Sequence, residues 1–192
     1  MVGHKMENTF LVTGLPRSRT FWMAEFLTTE ASVCLHEPIS RLLRIEDLIL
    51  EYEALEGVFK GFSDSGLGFW LEWILKEIQP RTLIIDRDIE EVEQSLVEMK
   101  MGLPKTNACQ LLQVELQKFK NHPLVLWVPF NDLNSRMKEI WEHLMPGLPF
   151  DQERCDTLCS VHLEPKVADL LRDAQRVCIT QELLPQIKII GD

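Results

Sequence analysis

The sequence predicts one three-layer α/β/α domain with a mostly parallel central sheet, and three observations carry that prediction. Short apolar runs alternate with stretches of helical spacing along most of the chain. The runs TFLVTG (9–14), RTLIIDRD (81–88) and PLVLWVPF (123–130) are nearly continuous in apolar residues, as parallel strands covered on both faces are. At 192 residues, 45% apolar and 26% charged, the chain is long enough to bury a core without staples. No repeat, low-complexity tract or linker divides it, so 1–192 reads as a single domain.

The elements follow in order. TFLVTG is a buried strand ended by Gly14, and SRTFWMAEFLT (18–28) sets Phe21, Trp22, Phe26 and Leu27 at helical spacing. LHEP (35–38) reads as a break, because Pro38 disfavours helix at the residue before it. SRLLRIEDLILEYEALEG (40–57) reads as one long amphipathic helix closed by Gly57. GVFKGFSDSGLG (57–68) is a short strand and a small-residue loop, and FWLEWILKEI (69–78) is a helix ended near Pro80. After the strand at 81–88, Asp88 and Glu91 are spaced like a capping box at a helix start. Helices over about 106–121 and over 131–145 flank the strand at 123–130, and MPGLPF is a turn. Beyond 151 the periodicity weakens, with helix expected near 164–175.

Charge and cysteine content narrow the function classes. A formal net charge of −10 opposes nucleic acid, heparin-like polymers or anionic membrane as partners. It leaves room for a small anion in a local basic pocket. Five scattered cysteines, an odd number, argue against a disulfide framework and for a reducing, cytoplasmic setting. No run has the length of a membrane span, and MVGHKMENTF lacks the apolar segment of a signal peptide.

Ligands of such sheets sit beyond the carboxyl ends of the strands, and two basic stretches fall there. TGLPRSRTFW (13–22) runs from a strand into a helix, whose opening amides are unpaired and partly positive. Arg17 and Arg19 add full charges, and Ser18 and Thr20 add hydroxyls, so the loop suits a phosphate-like anion. It is not a nucleoside triphosphate loop: Arg19 stands where the second Gly belongs and Thr20 where Lys belongs. In RDIEEVEQS (87–95), Arg87 ends a strand and Ser95 lies two turns into the next helix. Taken alone, that stretch is an amphipathic helix with a solvated acidic face.

Together the two stretches resemble the sulfotransferase family. Gly14, Pro16, Arg17, Ser18, Thr20 and Trp22 fit its 5′-phosphosulfate loop, of the form G-x-P-R-S-G-T-T-x. Arg87, Glu91, Val92 and Ser95 fit its R-x-x-x-[DE]-V-x-x-S motif, and WVPFNDL…LMPGLPFD is similar to its third. The three motifs stand in family order over roughly 9–151, leaving 152–192 as a C-terminal extension, and are most similar to small bacterial and phage-type members with GLPRSRT and HEP stretches. The resemblance implies a phosphate-loop-type α/β architecture and sulfuryl transfer from 3′-phosphoadenosine 5′-phosphosulfate (PAPS) to a hydroxyl or amine of a small acceptor. The product would be 3′,5′-ADP, and no metal is implied. Arg17 would neutralise charge on the leaving group, and Pro16, Ser18, Arg19, Thr20 and Phe21 would form the donor loop. Trp22 would lie near the adenine, and Arg87 and Ser95 would hold the 3′-phosphate. Glu37 or His36 in CLHEP would be the base, with Glu37 preferred.

The pattern departs from the family at Arg19, in place of a loop Gly, at Phe21, in place of a second Thr, and in lacking the C-terminal R-K-G-x-x-G-x-W-K loop. Two alternatives stay open. One is a small nucleotide or nucleoside kinase, for which Asp86 and Asp88 are the candidate magnesium carboxylates; the other is a non-catalytic nucleotide-binding module. Ser63, Asp64 and Ser65 either line the site or cap a helix. Cys155, Cys159 and His162 share a helical face, but core packing explains them better than zinc does. Trp70, Trp73, Trp127 and Trp141 read as core.

Overall fold

A computed structural model of the chain describes residues 6–98 and 107–160. Five strands form one sheet: β1 (Thr9–Gly14), β2 (Ser32–His36), β3 (Phe59–Ser63), β4 (Arg81–Asp86) and β5 (Val125–Pro129). Their order is β2-β3-β1-β4-β5, and every neighbouring pair is parallel. All five carboxyl ends therefore lie along one edge.

Side-chain alternation in the central strands makes the two outer layers. Phe10 and Val12 of β1, with Leu83 and Ile85 of β4, pack against α1 (Thr20–Leu27), α6 (Met137–Leu144) and α7 (Gln152–Ser160). Leu11 of β1 and Ile84 of β4 face the opposite layer. That layer holds α2 (Asp47–Ala54), α3 (Leu71–Glu77), α4 (Ile89–Glu98) and α5 (Ala108–Gln117). Each layer buries its own apolar cluster, which is why these strands carry apolar residues on both faces. Gly61 in β3 is part of the same packing: a Cβ there would stand 2.0 Å from the Phe10 ring.

Three expectations are corrected here. The stretch before Pro38 holds a strand, β2, which parallel pairing with β3 draws into the sheet edge. Only Ser32 and Cys34 of it are buried, and its apolar run, Val33 to Leu35, is three residues long, too short to mark a strand by itself. The long helix expected over 40–57 is a 3-10 turn (Pro38–Arg41) and the separate α2. The Leu42 amide donates to Ile39 O (3.2 Å), and the Asp47 carboxylate takes the Arg44 amide (3.1 Å). These local bonds replace the ladder of a continuous helix. The expected helix over 131–145 likewise opens as a 3-10 turn (Phe130–Arg136) before α6.

The cap at Asp88 forms, its Oδ1 accepting the amides of Glu90 (2.8 Å) and Glu91 (3.4 Å). Glu91 itself turns to Arg87 rather than closing the box. The C-terminal extension begins with α7, which docks on α1: Arg154 donates to the carbonyls of Glu25 and Phe26, and Trp22 Nε1 donates to Leu158 O (3.1 Å). The helix expected near 164–175 lies outside the described residues, as does His162. Trp141 is core as expected and Trp73 and Trp127 are half-buried, but Trp70 is 48% exposed, at the end of the 3-10 turn Gly66–Trp70 that leads into α3. No described helix is long and apolar enough to cross a membrane.

Two interior hydroxyls, those of Thr13 and Ser18, lack a partner among the described residues. Thr13 Oγ1 is buried with no hydrogen-bond partner among the described residues, on the sheet face that Gly68 of that 3-10 turn approaches. Thr13→Val keeps the shape and removes the hydroxyl, and is expected to stabilise the fold by about 1 kcal/mol. The readout is a higher urea midpoint at unchanged slope; a lower midpoint would show that the hydroxyl is bonded in solution.

Candidate functional site

The site is built where β1 meets α1. At Gly14 a Cβ would stand 2.6 Å from Ile85 O, so only glycine allows the chain to pass this close to β4. Arg17 (φ 66°) and Arg19 (φ 60°) are both left-handed, which folds the loop back over its own end. Arg19 is the N-cap of α1 and uses no side-chain cap, so the helix amides open into the loop. Between the two arginines Ser18 is fully buried, and its Oγ has no partner among the described residues. A buried, unpaired hydroxyl beside open helix amides is a donor set prepared for an acceptor-rich anion.

The cations converge on this loop. Arg17 Nε donates to Ser95 Oγ (3.1 Å), joining the loop to α4. Arg87, at the end of β4, donates from Nη1 to Arg17 O and from Nε to Glu91 Oε2 (3.5 Å). Its guanidinium lies 4.1 Å from the centroid of Phe130, and Arg19 lies 5.5 Å from the same ring. Arg19 Nη1 also donates to Asn134 Oδ1 (2.8 Å), which draws its side chain across towards the end of β5. Burial lowers the Arg87 pKa; Glu91 opposes that, and the charges of Arg17 and Arg19 add to it.

A carboxyl–imidazole pair borders the loop at the end of β2. His36 Nε2 is 3.3 Å from Thr20 Oγ1 and 3.8 Å from Glu37 Oε1, and the Phe21 ring meets His36 edge-on at 5.3 Å. Burial lowers the His36 pKa, against opposing pulls from Asp64 and Glu25. Burial raises the Glu37 carboxyl. Glu37 is left-handed (φ 49°) and its amide donates to Ser63 O (3.1 Å), which places the residue at the mouth. Below it, Asp64 accepts the amides of Ile39 (3.0 Å), Gly66 (2.7 Å) and Leu67 (3.3 Å). Asp64 is thus a capping residue, and Ser63 Oγ is spent on Thr20 O (2.7 Å).

Of the residues singled out in the sequence, Arg17, Ser18, Arg19, Thr20, Arg87 and Ser95 come together, with half-buried Pro16 in the loop and Phe21, His36 and Glu37 at its side. Trp22 does not join them. It is buried, stacked on Phe26 at 5.2 Å and bonded to α7, so packing and its indole bond hold it away from the loop mouth. The two carboxylates considered for magnesium are both engaged: Asp86 Oδ2 accepts Trp127 Nε1 (3.0 Å), and Asp88 caps α4. Cys155 is buried, and its thiol is pushed up to about 12 by burial and by Cys159. No group of three or more metal-ligating side chains occurs among the described residues. Phe130 and Asn134 were not foreseen. An aromatic at a strand end reads as core, although its place at a carboxyl end was a usable signal.

No protein-family description matches the sequence, and no curated protein does. The folded chain does match solved structures. Mouse sulfotransferase SULT7A1, solved in complex with PAP, superposes with a TM-score of 0.59 at 15% identity, over 82% of this chain. The chain has the sulfotransferase fold. It spans 64% of the length of that mouse protein, a little under two thirds.

Seen on the sulfotransferase fold, the departure at Arg19 has a physical account. The position is left-handed, which glycine adopts without strain, and here a non-glycine residue holds it with its side chain turned outward. Arg19→Gly is expected to stay within about 1 kcal/mol of the parent, because relief of left-handed strain offsets the lost Asn134 bond. Arg19→Val is expected to lose about 2 kcal/mol, since a β-branched residue is poorly tolerated at positive φ. Thermal melts of both variants check this, and equal losses would place the cost in the side chain instead.

Proposed function

We propose that the chain is a sulfotransferase that moves a sulfuryl group from PAPS to a hydroxyl or amine of a small acceptor and releases 3′,5′-ADP. The observation that carries this reading is the Ser18 hydroxyl, buried with no partner among the described residues, in a loop ringed by Arg17, Arg19 and Arg87. The PAP bound to the mouse structure supports the same ligand class here.

In this reading Ser18, Arg19, Thr20 and the opening amides of α1 hold the 5′-phosphosulfate, with Pro16 and Phe21 shaping the loop. Arg87 and Ser95 take the 3′-phosphate. The acceptor oxygen or nitrogen forms its bond to sulfur as the bond from sulfur to the 5′-phosphate oxygen breaks, and the electron pair leaves with 3′,5′-ADP. Arg17 neutralises that charge, a preorganised electrostatic contribution. The acceptor proton goes to Glu37. Its raised pKa and its place at the mouth suit a base, whereas His36 Nε2 is held at the Thr20 hydroxyl. No metal takes part. The net charge of −10 supports a small acceptor over a polyanion, nucleic acid or membrane, and the cysteine usage supports a cytoplasmic setting.

Calorimetry separates this from a kinase. 3′,5′-ADP is expected to bind more tightly than ATP-Mg²⁺, and Arg87→Ala to weaken it at least about tenfold. Tighter ATP-Mg²⁺ binding that ignores Arg87→Ala would sink the proposal, while binding of 3′,5′-ADP without transfer to any acceptor would make the chain a binding module. Glu37→Gln is expected to lower turnover by about 10²–10⁴ with 3′,5′-ADP affinity kept. As pH falls, protonation of Glu37 removes the base. Because its pKa is raised, the acid limb of the wild-type profile should begin above the ordinary carboxylate range. Wild-type turnover in Glu37→Gln would move the role to another group.

A further inference from the structure

Arg87 is anchored more heavily than an anion ligand requires. One guanidinium nitrogen donates to the backbone carbonyl of Arg17 and another pairs with Glu91, and the Phe130 ring lies against its plane at 4.1 Å. The Arg17 carbonyl is not an incidental acceptor. Arg17 is left-handed, and the peptide that carries this carbonyl also carries the Ser18 amide, pointing the opposite way. Fixing the carbonyl on Arg87 therefore fixes the direction of the Ser18 N–H, next to the buried Ser18 hydroxyl. The bond also joins the end of β4 to the loop after β1, seventy residues apart in sequence.

We propose that Arg87 is a positioning residue for the 5′-anion loop: through the Arg17 carbonyl, with Phe130 and Glu91 bracing its guanidinium, it holds the loop in its anion-ready shape. This rests on the sulfotransferase reading and extends it. An arginine whose only task was the 3′-phosphate would leave the rest of the donor site indifferent to its loss. Here the same side chain builds one subsite and shapes the other. The guanidinium has five N–H donors, of which these two bonds use two, so both tasks are chemically compatible. Phe130 is the only ring recorded against both Arg87 and Arg19 among the described residues, and it ties the bracket to the end of β5.

The test uses 5′-AMP, which lacks the 3′-phosphate, beside 3′,5′-ADP, titrated calorimetrically into the full-length chain. Arg87→Ala is expected to weaken both ligands, 5′-AMP by about tenfold, as for loss of one charge-assisted hydrogen bond. The loss of 5′-AMP affinity should persist at about 1 M salt, where the screening length is about 3 Å and a long-range charge effect disappears. Unchanged 5′-AMP affinity with weakened 3′,5′-ADP would overturn the proposal and leave the sulfotransferase reading standing. A loss confined to low salt would also overturn it. If the parent chain binds neither nucleotide, both the reading and the inference fall. Should Arg87→Ala not fold, Phe130→Leu removes the ring and keeps the arginine. It is expected to weaken 5′-AMP by about threefold, and wild-type affinity in that folded variant counts against the proposal.

Discussion

The absence of a side chain at Gly14 lets β1 stay in register with β4 to its last residue, opposite Ile85, with the Ile85 carbonyl where a Cβ would otherwise stand. Two residues beyond Ile85 is Arg87, and one residue beyond Gly14 the loop begins. This close approach therefore sets the distance between the loop and its principal cation. The Arg87 bond to Arg17 O, the Arg17 bond to Ser95 and the Phe130 contact all follow from two strand ends lying side by side. A larger residue at position 14 would push the strands apart at the point where the site is assembled.

The second organising feature is electrostatic. Three arginines face one another in a chain of net charge −10, and their mutual repulsion and partial burial are costs that the fold offsets only in part, through Glu91, Asn134 and the Phe130 ring. An anion in the loop would relieve that cost, which is why such a cluster is better placed to bind than to stabilise. On the other side of the loop the pattern reverses. Burial lowers the His36 pKa and raises that of Glu37, so burial disfavours charge on both groups beside the loop. Asp64 holds the base of this second side, because its three backbone bonds join the turn after β2 to the turn after β3.

Much of the fold could be read from local pattern. β1, β4 and β5 are apolar runs between turn signals; β1 and β4 are central strands covered on both faces and have to be apolar, and β5 is an edge strand that keeps the pattern. β2 could not be read this way, because its apolar run of Val33 to Leu35 is too short to mark a strand, and it exists through its pairing with β3. The helix expected across 40–57 failed for a related reason: amphipathic spacing persists through Leu42 and Leu43, but Asp47 and the Ile39 carbonyl divert the backbone bonds. In the site, Arg17, Ser18, Arg19 and Thr20 were legible because strand, loop and helix are contiguous. Trp22, two residues on, was placed near the adenine by the family resemblance, and in the fold it is buried against Phe26 and bonded to α7.

The sequence by itself determined the α/β class, which rests on residue type and spacing along the chain, and it set two arginines and two hydroxyls in one strand-to-helix loop. The pairing of that loop with Arg87 and Ser95 came from the order of motifs that the sulfotransferase resemblance supplies. Only the tertiary structure decided that Ser18 is buried with no partner among the described residues, that Arg19 turns outward to Asn134, and that Arg87 grips the backbone of the loop. It also brought Phe130 from the end of β5 to lie against two guanidinium groups. The physical reason is that a parallel sheet brings distant strand ends to one edge, so contacts among them depend on strand order and register, which no local pattern encodes.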